Sequence, residues 1–167
     1  MDSRLLRLQN EINEVIGGMT PEDLARQNGD KWSAGMILEH LYLTYTGSTK
    51  GFERCAAADK PLARAVTLQD RLRTMVVVGL QYLPEGRKAP EGTRPKGIPA
   101  EQVVAEIGRQ IERMDSAIAA CEAKYGSNTR LLDHPALGPL TGKQWRKFHW
   151  VHGRHHIRQL VRLKQLM

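Results

Sequence analysis

Apolar side chains recur at every third or fourth position through four long segments of this chain, the period of an α-helix with one buried face. Leu5, Leu8, Ile12 and Ile16 set it in the first segment, which begins at Ser3 and which Gly17 and Gly18 stop. Thr20-Pro21-Glu22-Asp23 places a cap residue before a proline and predicts a short second helix. Asn28-Gly29-Asp30 is a turn, after which Ser33 caps a long helix to about Ala58. Thr67 and Asp70 open another helix that carries Leu68, Leu72, Met75, Val76, Gly79 and Leu80. Val76-Val77-Val78 alone would suit a strand, but its flanks read as helix. Pro99 starts a helix to about Tyr125 along Val103, Ile107, Ile111, Met114 and Ile118, and Gly126-Ser127-Asn128 ends it. Thr141 and Gln144 form a capping box for the last helix, which runs nearly to Met167. Residues 84–99 hold Pro84, Pro90, Pro95 and Pro99 and read as a loop crossing the bundle. No strand pair or repeat is expected. The prediction is one all-α domain over residues 1–167, a bundle of four long helices with short additions.

Composition narrows the class. Hydrophobic residues make up 41% and charged residues 26%, which excludes a disordered chain. No apolar run approaches the roughly 20 residues of a membrane span, so no membrane partner is expected. The N-terminal stretch has no continuous apolar core and does not read as a signal peptide. Cys55 and Cys121 then read as reduced thiols in a cytoplasm. The net charge of +7 is carried by the C-terminal segment, where seven bases and no acid follow Asp133.

Chemistry concentrates in the last helix. His149, His152, His155 and His156 fall within eight residues. On a helical wheel with His152 at zero, His156 lies about 40° and His149 about 60° round, on the apolar stripe, with His155 at its edge. The seven bases fall on the opposite side, at roughly 120° to 280°. Imidazoles buried together repel when protonated and need partners when neutral. A divalent metal answers both problems. His152 and His156 are one turn apart and can reach one ion, although an isolated pair at this spacing is more often ordinary core or surface histidine. His40, the only histidine of the first 133 residues, is the candidate third ligand. It shares an inward face with Met36, Ile37, Leu43, Thr44, Gly47, Gly51 and Cys55. Small residues at Thr44, Gly47, Ser48 and Gly51 leave either substrate space or close helix packing.

Lys31-Trp32-Ser33, then Ile37-Leu38-Glu39-His40-Leu41, and the terminal Trp145, His149, His152, His155, His156, Gln159 and Leu160 resemble the DinB/YfiT-like superfamily. The resemblance covers nearly the whole chain, including the stretch from Leu132 through His134 and Gly138 to Leu140, and is closest to a branch of unknown function. It implies an up-down-down-up four-helix bundle, often dimeric. It also implies zinc or nickel held by His40, His152 and His156. Characterised relatives of that superfamily include S-transferases using low-molecular-weight thiols and a maleylpyruvate isomerase.

Three neutral ligands leave an ion at +2 with an open position, the catalytic rather than structural arrangement. Lowering the pKa of a bound water would support hydrolysis; lowering that of a thiol would support transfer to an electrophile. The expected function is therefore a metal-dependent enzyme acting on a small molecule, by thiol transfer or otherwise hydrolysis, with a small thiol as cosubstrate. A non-catalytic metal- or ligand-binding bundle is the alternative. Gln159 is a candidate to orient a ligand ring, His149 a fourth ligand or general base, and His134 a loop residue covering the site. His155 is expected exposed or at an interface, Glu39 at the surface, and Trp145 and Phe148 in the core. The reading is against nucleic acid, since Trp150 is the only aromatic on the basic face and the bases read as a solvated surface. Arg87, Lys88, Arg94 and Lys96 form a second basic site suited to an anionic substrate.

Overall fold

The computed structural model describes residues 1–83 and 88–166. The chain is mostly helical, with helices α1 (Ser3–Ile16), α2 (Pro21–Ala25), α3 (Ala34–Ala57), α4 (Leu68–Thr74), α5 (Ala100–Tyr125) and α6 (Gly142–Lys164). The sequence-read caps hold. Thr20 with Asp23, Thr67 with Asp70 and Thr141 with Gln144 all form reciprocal capping boxes, and Ser33 accepts from the Met36 N–H. The valine run continues α4 as a π-helical turn, Met75–Gly79. Pro84 and Arg87 lie outside the described residues. Within the rest of the proline-rich segment, Glu91–Thr93 forms a single 3-10 turn.

One expectation fails here. Arg130–His134 (β1) and Gly138–Thr141 (β2) pair antiparallel, a two-stranded hairpin where no strand pair was expected. Its ladder is short and shifts register between Arg130 and Leu132. Pro139 has no N–H to give it. Tertiary burial holds it instead: Leu131 and Leu140 are both fully buried.

The core joins the inward faces of the long helices through Leu5, Leu8, Leu38, Leu41, Ile107, Ile111 and Leu160, among others. Phe52 of α3 meets Trp145 of α6 edge-on, with ring centroids 5.4 Å apart. Arg146 of α6 bridges to both Asp115 and Glu122 of α5. This corrects the reading of the α6 bases as a wholly solvated face, because Arg146 is buried.

Glycine brings α1 against α6. A Cβ at Gly153 would stand 2.4 Å from Leu8 Cδ1, and Leu8 is fully buried. Gly153→Val is therefore expected to destabilise by about 2 kcal/mol through overpacking. A lower urea midpoint at unchanged m would show it. Gly51 is likewise filled by Leu132, whose Cδ2 would lie 2.7 Å from an added Cβ, so at that position close packing replaces substrate space.

Candidate metal centre

His40 lies two turns into α3, and His152 and His156 lie one turn apart about the middle of α6. Their rings converge. His152 Nε2 is 3.2 Å from His40 Nε2 and 3.1 Å from His156 Nε2. The candidate ligand atoms of all three lie within 4.8 Å of one another. The tips face inward because each outward nitrogen is held. His40 Nδ1 is 2.8 Å from the Thr93 carbonyl oxygen, and His156 Nδ1 is 2.7 Å from Gln159 Oε1. Both partners accept only, so each Nδ1 carries the hydrogen and each Nε2 presents a bare lone pair. The Gln159 amide nitrogen faces His155 Nε2 at 3.3 Å, consistent with that orientation.

This leaves a proton deficit. Neutral His152 has one N–H. On Nε2 it can satisfy only one of the two lone pairs beside it. On Nδ1 it would be sealed from solvent without an acceptor, because that atom is buried and has no partner. Extra protons are resisted. Burial, then the neighbouring His156 and His40, holds His152 well below the usual histidine range. Burial, then His40, pushes His156 down to about 3. Burial also lowers His40. Three imidazoles kept neutral and aimed at one point lie close enough to hold a metal ion, and a divalent ion fits that donor set.

The surroundings hold His40 in place. Trp32 packs on its ring at 5.3 Å, just before the Ser33 cap that starts α3. Glu39 is buried, against the expectation of a surface residue, and accepts from the N–H groups of Lys96 (2.6 Å) and Gly97 (3.2 Å). It thus fastens the segment whose Thr93 carbonyl orients His40. Sequence reasoning missed Glu39 and Thr93. The available signal was a lone acid inside the otherwise apolar run from Met36 to Leu41.

The remaining candidates separate. Gln159 reaches the site through His156, as its spacing implies. His149 is fully buried with neither ring nitrogen partnered, and lies outside the convergent triad. His155 is buried beside His156, at 5.1 Å between rings, rather than at the surface. His134 ends β1, where its Nδ1 accepts from the turn's Ala136 and Leu137 N–H groups. Trp150 is buried and carries Arg7 and Arg154 against its ring at 5.4 and 5.2 Å, so it offers no free stacking face.

A family model described as "Protein of unknown function (DUF1569)" matches residues 7–163. The chain belongs to that family. The match takes in every member of the triad, with Thr93, Gln159 and Glu39. No curated protein and no solved structure matches the chain. No helix among the described residues is long and apolar enough to cross a membrane.

If Gln159 orients His156 for a metal, Gln159→Leu should weaken zinc binding about 10- to 100-fold while leaving helix content unchanged. Competition against a chromophoric chelator reads the affinity, and an unaltered value would count against this role.

Proposed function

We propose that this DUF1569 chain is a divalent-metal-dependent enzyme whose ion is held by His40, His152 and His156. The reading rests on one observation, the Nε2 atoms of His40 and His156 turned onto His152 Nε2 at 3.2 and 3.1 Å. The spacing supports it, since a tetrahedral ion with 2.0–2.1 Å bonds separates its donors by about 3.3 Å. Zinc or nickel suits an all-imidazole set. Bound there, such an ion would act as a Lewis acid and lower the pKa of a coordinated thiol or water.

The chain's own residues do the rest. The Thr93 carbonyl and Gln159 fix the tautomers of His40 and His156, Glu39 holds the Thr93 segment, and burial keeps the imidazoles neutral. Thiol transfer from a small thiol to an electrophilic small molecule is the leading reaction, with hydrolysis second. Gln159 orients His156, His149 is the candidate general base of this reading, and we assign no such role to His134. Free, buried Cys55 and Cys121 agree with a reducing, cytoplasmic setting. A second reading, a non-catalytic metal-binding bundle, draws on the burial of His40 and His156.

We further assign the helices to the DinB/YfiT-like up-down-down-up bundle. Contacts of Tyr45 with His149 and Phe52 with Trp145 support an antiparallel α3 and α6, and those of Arg7 with Trp150 and Glu11 with Arg154 a parallel α1 and α6.

Elemental analysis of purified wild type beside His40→Ala and His156→Ala tests the ion. One equivalent in wild type and near none in either variant is expected; equal content in all three would remove the ligands. The zinc- or nickel-loaded protein is then assayed with a small thiol and a chlorodinitrobenzene electrophile. Turnover supports transfer, whereas a loaded but inert protein, also silent on ester substrates, supports the binding module.

A further inference from the structure

A second cluster of charged side chains lies at the other end of α6. Thr141 caps the helix with Gln144, but no acid occupies its first turn. Lys143 stands there instead and Lys147 one turn on, where the helix dipole disfavours positive charge. Arg71 of α4 and Arg130 of β1 join these two lysines in lining a groove of about 360 Å³. No carboxylate lines it. None of the four cations has an ion-pair partner among the described residues. The acids around the groove are already engaged: Glu122, which meets Gly142 about 100° round from Lys143, is taken by Arg146, and Asp70 and Asp133, beside Gly138 and Pro139, are taken by Arg64. The groove is not purely polar: Val78 and Pro139 supply an apolar wall.

Like charges gathered at a helix N-terminus are an electrostatic cost that an anion removes. An apolar wall beside them adds affinity only for a ligand with a hydrocarbon part. We propose that this groove binds a small amphipathic anion, with a phosphate or carboxylate head on Arg71, Arg130, Lys143 and Lys147 and a short apolar body against Val78 and Pro139. Lys143 and His156 are 13 residues apart on one helix, about 20 Å of rise, so the groove is separate from the histidine triad.

Calorimetric titration of the full chain with octyl phosphate below its micellar concentration tests this. Inorganic phosphate and octanol serve as the two half-ligands. Saturable binding of octyl phosphate is expected, at least 10-fold tighter than phosphate, with none for octanol. The double variant Lys143→Glu/Lys147→Glu should lose at least 10-fold with unchanged circular dichroism, and His40→Ala should bind as wild type. Arg130→Ala provides a milder variant should the double one fold poorly, and should also weaken binding. Sedimentation with phosphatidylglycerol vesicles distinguishes the source of the head group. Vesicle binding without saturable octyl phosphate binding assigns it to a lipid surface, and the reverse to a free metabolite. Absence of both, phosphate binding as tight as octyl phosphate, or full binding by the folded variants would overturn the proposal.

Discussion

His40→Ala is expected to lose on the order of 100-fold in zinc affinity, and His156→Ala a similar factor. Zinc sites with four protein ligands are worth roughly 10–16 kcal/mol at neutral pH, or about 3 kcal/mol for each ligand. At 1.4 kcal/mol per factor of ten that is about two orders of magnitude. The two losses have different structural contexts, which gives a control. His40 comes from α3 and is oriented by a backbone carbonyl; His156 comes from α6 and is oriented by a side chain. If one cation links them, removing either ring must produce the same readout, although the rings belong to different helices. His134→Asn should leave affinity unchanged, since His134 Nδ1 already accepts two backbone N–H groups in the hairpin turn. Added free imidazole should partly restore zinc binding to His40→Ala, because the ring then returns without its tether. Chelator competition measures each case, and equal affinity in wild type and His40→Ala would dissolve the proposed centre.

The parts of this site legible in the sequence are those that repeat with helix period. His152, His156 and Gln159 lie on one stripe, and the wheel alone brings them together. His40 required only that its apolar face be inward. What the wheel does not give is the width of the buried arc. Gly153 has no side chain, so α1 closes onto α6 there and widens the buried arc on that side, while His155, about 160° round from Gly153, is buried on the other side beside His156 and Gln159. Arg146 was misread for a related reason. Its partners, Asp115 and Glu122, are on α5, and no local pattern announces a pairing across 31 and 24 residues. Helix starts were legible because a cap is a local device of four residues, as Thr141 with Gln144 shows. The hairpin was not, because its strands of five and four residues are too short for a period of two to register, and burial of Leu131 and Leu140 outweighs the weak local preference around Pro139.

His149→Leu is expected to stabilise the protein near neutral pH and to blunt its loss of stability in acid. His149 has no exposed surface, and both ring nitrogens lack partners. Trp145 stacks on it at 5.6 Å, with Tyr45 and Phe148 against its other sides. A buried unsatisfied polar atom costs about 1–3 kcal/mol, so an apolar side chain of similar volume should gain about 2 kcal/mol at pH 7. Burial, and then the charge of His134, pushes the His149 imidazole down to about 3 in the folded chain. Unfolded, it returns to about 6.5. As pH falls below 6.5 the unfolded chain takes a proton that the folded chain refuses, so stability drains away between pH 6.5 and 3. The rate approaches 1.4 kcal/mol per pH unit, about 5 kcal/mol in all. The leucine variant lacks this component. It retains a shallower acid slope from His134, which burial holds at about 4. Urea unfolding of both metal-free proteins at pH 7 and 4.5 reads the difference, since both keep the triad and His134. An unchanged pH slope, or a variant weaker than wild type at pH 7, would refute this account. The orphan atoms also share one neighbourhood: Tyr45 Oη and His152 Nδ1 are buried without partners beside His149. Polar groups retained at a stability cost next to three convergent imidazoles are the local inconsistency that functional sites show. The leucine variant should therefore be the more stable protein and the poorer catalyst in the thiol-transfer assay.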